Sequence, residues 1–216
     1  MKVLSGLLTQ REGTINKMEH LFIQGLTQRT LVLLHGTGGD EHSLVELGKF
    51  LDPQANLLAL RGTVQEGGAN RYFRRFAEGE FDLVDLAKQT IKLTAELLNL
   101  SEKYQLPLTD MVLVGYSNGA NIGGHLLLEK TTDINKGILF HSMSLGPSSN
   151  EPELSNQKVW LSYGEQDPIV PLASFNELVE KFKKGQGEVT DYRLPISHGL
   201  VQAELVAARQ WLEEVN

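Results

Sequence analysis

The stretch Met111-Val-Leu-Val-Gly-Tyr-Ser-Asn-Gly-Ala-Asn-Ile-Gly-Gly124 decides the architecture. Met111 to Val114 is a short apolar run of the kind that forms a strand buried on both faces. Gly115-Tyr116-Ser117-Asn118-Gly119 follows, a G-x-S-x-G pattern, and Ala120 to Lys130 is compatible with a helix. A strand, one very tight turn and a helix place Ser117 at the apex, its hydroxyl exposed and its backbone strained. The glycines have a steric task. A side chain at 115 or 119 would run into the neighbouring strand or helix.

Outward from this unit the same alternation continues in both directions. Upstream, His20 to Leu26, Thr30 to Leu34 and Asn56 to Leu60 read as strands, and Ser43 to Leu51 as a short helix stopped before Pro53. Asp82 is placed as the N-cap, with Asp85 in the first turn, of a helix reaching about Tyr104. Its apolar positions Leu83, Ala87, Ile91 and Leu98 recur at helical spacing. Downstream, Gly137 to Phe140, Lys158 to Tyr163 and Glu188 to Leu194 read as strands and Pro171 to Lys183 as a helix. Gly199 to Glu214 closes the chain as an amphipathic helix through Leu200, Leu205, Ala208 and Leu212. The pattern predicts an α/β fold, a mostly parallel sheet with helices on both faces, in a single domain over residues 1–216. In such sheets ligands bind outside the carboxyl ends of the strands.

Composition narrows the function classes. With 20 Lys and Arg against 27 Asp and Glu, a formal net charge of −7, the chain lacks the basic footprint of a nucleic-acid binder. It contains no cysteine, which removes disulfides, thiolate metal sites and a thiol nucleophile together. Met1 to Arg11 has too short an apolar core for a signal peptide, and no apolar run approaches the ~18 residues of a membrane span. The expectation is a cytoplasmic protein without stable membrane insertion.

A serine hydroxyl becomes a useful nucleophile only when a base takes its proton and an acid orients that base. Of six histidines, His20 falls in a strand, His42 at a helix start and His125 two turns into the helix after Ser117. His141, at a strand end, competes with His198. The latter lies in Pro195-Ile-Ser-His-Gly199, between the last strand and last helix, where a loop can reach back over the sheet. Tyr163-Gly-Glu-Gln-Asp-Pro168 offers Glu165 and Asp167 after a strand. Asp167 precedes a proline that restricts its backbone, and gives the chain order Ser, Asp, His. The tetrahedral intermediate needs two backbone N–H donors. Asn118, at the positive end of a helix, supplies one, and the His35-Gly-Thr-Gly-Gly39 segment the other, through Thr37. That segment lacks the lysine of a phosphate loop, and Glu41 breaks G-x-G-x-x-G.

With these residues assembled, the sequence resembles the carboxylesterase/phospholipase family of α/β-hydrolases, the group that contains the acyl-protein thioesterases. Leu33 to Asp40, Gly115 to Gly119, Gly164 to Pro171 and Ser197 to Gly199 match its four blocks in order, from about residue 15 onward. The resemblance implies an α/β-hydrolase fold without a large cap domain. It implies Ser117 as nucleophile, His198 as general base and acid, Asp167 as its orienter, and Thr37 and Asn118 as oxyanion donors. No cofactor and no metal are implied, and a homodimer is compatible with it, although no stripe in the sequence marks an interface. Arg61 to Val64 and Gly68 to Gly79 are similar to a compact bacterial branch, some of whose members act beside ring-cleaving dioxygenases in quinone or hydroquinone responses. The corresponding segment of the acyl-protein thioesterases is richer in proline, so protein depalmitoylation is not carried over.

Gly62 to Glu80 has no clean period and is long enough to act as a lid or pocket wall. It interleaves Tyr72, Phe73 and Phe76 with Arg71, Arg74 and Arg75. Either the aromatics pack on the core and the arginines face water, or Arg71, Tyr72 and Phe73 form an apolar slot with a cation at its mouth. Tyr116 is expected to pack beneath the turn rather than touch substrate. The leading expectation is a serine carboxylesterase acting on small or medium acyl or aryl esters through an acyl-enzyme. A thioesterase or lysophospholipase would use the same groups, and a slow or inert small-molecule sensor on this fold is the reading from another class.

Overall fold

Alternate residues of each central strand enter opposite hydrophobic layers, and this period of two organises the molecule. The computed structural model describes residues 17–146 and 153–215; Met1 to Arg11 therefore lies outside the described residues. In chain order the strands are β1 (His20–Ile23), β2 (Thr30–Leu34), β3 (Asn56–Leu60), β4 (Val64–Glu66), β5 (Ala69–Arg71), β6 (Arg75–Ala77), β7 (Glu80–Phe81), β8 (Met111–Tyr116), β9 (Lys136–Phe140), β10 (Lys158–Gly164) and β11 (Glu188–Leu194). The helices are α1 (Val45–Leu51), α2 (Leu83–Tyr104), α3 (Asn118–Glu129), α4 (Leu172–Lys184) and α5 (Gln202–Glu214).

Seven strands form one sheet in the order β1-β3-β2-β8-β9-β10-β11. Only the edge strand β1 runs antiparallel, His20 opposite Leu60; every other pairing is parallel. Val32, Leu34, Leu113 and Leu139 pack with α2, α3 and α4 on one face. Leu31, Leu33, Val112, Val114 and Ile138 pack with Leu51 of α1 and with Ala208, Trp211 and Leu212 of α5 on the other. The mostly parallel sheet agrees with the alternation, and the architecture is the α/β-hydrolase fold that the resemblance implies, without a large cap.

Two expectations are corrected. On α2 the buried stripe is Leu86, Thr90, Leu93, Leu97 and Leu100. Leu83, Ala87, Ile91 and Leu98 instead face outward, with Ile91 70% exposed. The helix carries two apolar stripes, and spacing alone does not say which one the sheet covers. The helix start holds as expected: Asp82 accepts the Asp85 N–H at 3.0 Å. The aperiodic Gly62 to Glu80 segment, in turn, is two small β-hairpins, β4–β5 and β6–β7. Gly67 and Gly68, both at positive φ, link β4 to β5, the two-residue turn whose twist suits a hairpin.

Candidate active site

Five strand ends converge on one spot. Thr37 follows β2, Ser117 follows β8, His141 follows β9, Asp167 follows β10 and His198 follows β11. Because these strands are parallel neighbours, residues distant in the chain meet at their carboxyl edge.

Ser117 has φ 50° and ψ −113°, outside the usual regions for an L-residue. Its N–H is held by Phe140 O at 3.0 Å, and its carbonyl accepts from Asn121 N at 2.9 Å. The flanking glycines permit the turn. A Cβ at Gly115 would lie 2.6 Å from the Ala120 backbone, and one at Gly119 would overlap the Leu34 carbonyl. The hydroxyl is thereby presented above the sheet, 2.9 Å from His198 Nε2.

His198 Nδ1 donates to Asp167 Oδ2 at 2.7 Å, and its carbonyl accepts from Tyr116 Oη at 2.9 Å. Tyr116 thus lines the cleft instead of lying beneath the turn. The other Asp167 oxygen accepts from Ile169 N at 2.8 Å and Val170 N at 3.1 Å, so the aspartate organises its own loop. Burial would raise its pKa. The hydrogen bonds from His198, Ile169, Val170 and His141 outweigh that and hold it below the ordinary carboxylate value.

Sequence reasoning treated His141 as a competitor of His198 and missed Glu204. The two histidines instead share one carboxylate oxygen: His141 Nδ1 lies 3.0 Å from Asp167 Oδ2. His141 Nε2 faces Glu204 Oε2 at 3.3 Å, and both side chains are fully buried. Glu204 Oε1 also accepts from Val201 N at 2.8 Å, closing the first turn of α5. Burial opposes charge on His141, but the Glu204 and Asp167 carboxylates on either side raise its pKa above the usual histidine value. His141 keeps φ 50°, a strained backbone fixed by what surrounds it. The signal for Glu204 was its place three residues after the helix cap, where an acidic residue folds back on the backbone. His141, Asp167 and His198 bring ligand-type atoms within 4.8 Å of one another. Both imidazole Nδ1 atoms address the same oxygen at hydrogen-bond distance, which satisfies the cluster without an ion.

The loop after β2 is fixed from several sides. His35, held below its ordinary pKa by burial, donates from Nδ1 to Gly36 O at 2.7 Å and accepts Gly62 N–H at Nε2 at 3.0 Å. Gly38 N–H is bound to Asn70 O and Gly39 N–H to Gly36 O, while the Thr37 N–H takes no partner among the described residues. The Asn118 N–H, at the start of α3, has no carbonyl of its own helix to bond. Asn118 Oδ1 accepts from Tyr72 N at 2.8 Å, linking the turn to the end of β5.

Around these groups lies a cleft of about 350 Å³ whose walls include Thr37, Arg71, Tyr116, Asn118, Met143 and His198. Of the three expected pocket residues only Arg71 lines it. Tyr72 and Phe73 belong to the core, 1% and 0% exposed. The Tyr72 hydroxyl donates to Leu60 O at 2.6 Å, and Phe73 packs edge-on against Phe81. They lie on the chain between the two hairpins, in the link from β5 to β6, which turns them under the loop, away from the cleft. His20 and His125 are remote, bonded to Tyr104 and Thr90.

Comparison with known proteins bears on the family and the fold. Residues 24–216 match the model of the phospholipase/carboxylesterase family. The chain is 36% identical over 197 residues to the MhqD protein of Bacillus subtilis (strain 168), covering 91% of this chain and 98% of that one. Among solved structures it is similar to the Bacillus cereus carboxylesterase, with 34% identity, TM-score 0.89, and 91% and 94% of the two chains covered. It is also similar to YahD, solved with malic acid, with 36% identity, TM-score 0.88, and 92% and 100% covered. Fold, strand-end geometry and sequence match together make this chain a member of the phospholipase/carboxylesterase family of α/β-hydrolases, and a hydrolase enzyme.

Proposed function

We propose that the protein is a serine carboxylesterase acting on small esters through an acyl-enzyme. The observation that carries this reading is the single chain of hydrogen bonds from Ser117 Oγ through His198 to Asp167, 2.9 and 2.7 Å long. Ser117 Oγ attacks the ester carbonyl while His198 Nε2 takes the hydroxyl proton. Asp167 fixes the imidazole tautomer and stabilises the imidazolium. The carbonyl oxygen, now negative, sits at the Thr37 and Asn118 N–H groups, where fixed dipoles lower the barrier. The carbon–oxygen bond to the alcohol breaks, and His198 returns the proton to the departing alkoxide. Water then repeats the sequence on the acyl-enzyme, releasing the acid and restoring Ser117.

The cleft favours short acyl groups over the long chains of a depalmitoylase or lysophospholipase. Arg71, Arg75, Glu78, Asn118 and Asn121 share its walls with Phe81, Met143 and Ile169, and a long alkyl chain needs a continuous apolar slot. The test is a series of p-nitrophenyl esters from acetate to palmitate, with wild type and Ser117→Ala side by side. Turnover should peak at short chains and fall by about 10⁶ in the variant. Equal rates in the two proteins, or a maximum at palmitate, would overturn the reading.

A further inference from the structure

Among the described residues that line the cleft, Arg71 is a buried charged group whose bonding is incomplete. It ends β5 and is only 3% exposed. A guanidinium carries five N–H donors. Nη1 donates to Thr37 Oγ1 at 2.7 Å. Nε is shared between Phe73 O at 3.3 Å and Glu66 Oε2 at 3.1 Å. Nη2 has no partner among the described residues, and the side chain lines the cleft beside Ser117 and His198.

The charge around it is also unbalanced. Glu66 is the nearest carboxylate, and Arg75 claims it more fully: Arg75 Nε reaches its two oxygens at 2.9 and 3.2 Å, and Nη2 reaches Oε1 at 2.8 Å. Two guanidinium groups thus share one carboxylate, a local excess of one positive charge. Glu78, the other acid of the cleft wall, is exposed at the rim, and Asp167 is already engaged by two histidines. A further donor lies close by. Asn118 is 2% exposed, its Oδ1 is held by Tyr72 N, and its Nδ2 has no partner. Leaving such donors unmet is costly, about 1–3 kcal/mol for a neutral group and more for a charged one. A ligand in the cleft that meets the open Arg71 donors recovers part of that energy, whereas Asn118 Nδ2 has no accessible surface.

We propose that Arg71 is a carboxylate-binding subsite, and that the preferred substrates are esters whose acyl half carries a second, free carboxylate: hemi-esters of short dicarboxylic acids. This rests on the esterase reading above and deepens it. Arg71 bonds the side chain of Thr37, the residue whose N–H addresses the scissile carbonyl. Arg71, Thr37 and Ser117 line one cleft, so a short diacid spacer between the anion and the scissile carbonyl belongs to the proposal. A guanidinium nitrogen with open N–H donors suits a carboxylate oxygen.

The test compares monoethyl succinate with ethyl butyrate, its neutral counterpart of similar length, by kcat/KM in wild type, Arg71→Gln and Arg71→Lys. Wild type should prefer the anion at least tenfold, Arg71→Gln should bring the ratio near one, and Arg71→Lys should keep part of it. Because the ratio is taken within each protein, a general loss of activity in a variant does not imitate the result. Wild type hydrolysing both esters equally, or preferring butyrate, would overturn the subsite and leave the esterase reading intact. If neither ester were cleaved, the esterase reading would fall. Calorimetric titration with succinate then decides the subsite: binding in wild type and none in Arg71→Gln supports it, and no binding in wild type overturns it.

Discussion

At the scale of the residue, the arrangement turns on Asp167 and the two imidazoles that share its Oδ2. One imidazole faces Ser117. The other, His141, is buried between Asp167 and Glu204 and contacts the same carboxylate oxygen, a place from which it would position Asp167. Replacing His141 by Gln should lower kcat by between about 10- and 100-fold with KM little changed, since misplacing a catalytic group by about 1 Å has effects of that order. A loss confined to folding yield, with normal kcat in the folded fraction, would contradict that role. His141 has a raised folded pKa, so its contribution to stability is complete below the ordinary histidine value of 6.5 and is lost as pH rises through the folded value. Asp167, with a lowered pKa, contributes fully above 3.8 and loses that contribution as pH falls through its depressed folded value. Melting curves against pH should therefore show a decline above about pH 6.5 that His141→Gln flattens. At this scale Ser117, Asp167 and His198 were legible because each sits in a short motif after a strand. Glu204 was not, because an acidic residue on an amphipathic helix reads as part of its wet face until the helix is docked.

At the scale of the element, the helices and central strands were readable from periodicity, and the errors came where periodicity was ambiguous. The exposed stripe of α2 and its buried stripe are both apolar at helical spacing. What separates them is the sheet beneath, a long-range fact. Leu93→Ala should destabilise the protein by about 2–5 kcal/mol, whereas Ile91→Ala should change it by less than about 0.5 kcal/mol. Urea unfolding of both variants checks this, and the reverse ranking would mean that α2 docks by the other face. The hairpins between residues 62 and 81 escaped because each strand is only two or three residues long. Gly67-Gly68 and Glu78-Gly79 were the local signs of turns there. It is these hairpins that carry Arg71 into the cleft and turn Tyr72 and Phe73 into the core.

At the scale of the whole molecule, function depends on how closely α3 sits on the sheet. Gly119 lies against the end of β2, leaving no room for a methyl group before the Leu34 carbonyl. The same contact sets the distance between the Asn118 N–H and the Thr37 loop. Gly119→Ala should therefore lower both the melting temperature and ester turnover, and a normal melt with normal turnover would show that the contact is not required. The mostly parallel sheet and the placing of the motifs at its carboxyl edge followed from the alternation of strands and helices, whereas the strand order is a long-range fact. The cleft's polar lining did not follow from it either, because it is assembled from side chains on four separate segments.

The most direct measurement is the intact mass of the protein after exposure to a fluorophosphonate, with peptide mapping of any adduct. A nucleophilic Ser117 activated by His198 should give one adduct per chain, on the peptide containing Ser117, absent in Ser117→Ala and strongly slowed in His198→Ala. Labelling at another residue, or full ester turnover in protein that takes up no label, would contradict the assignment of Ser117 as the nucleophile.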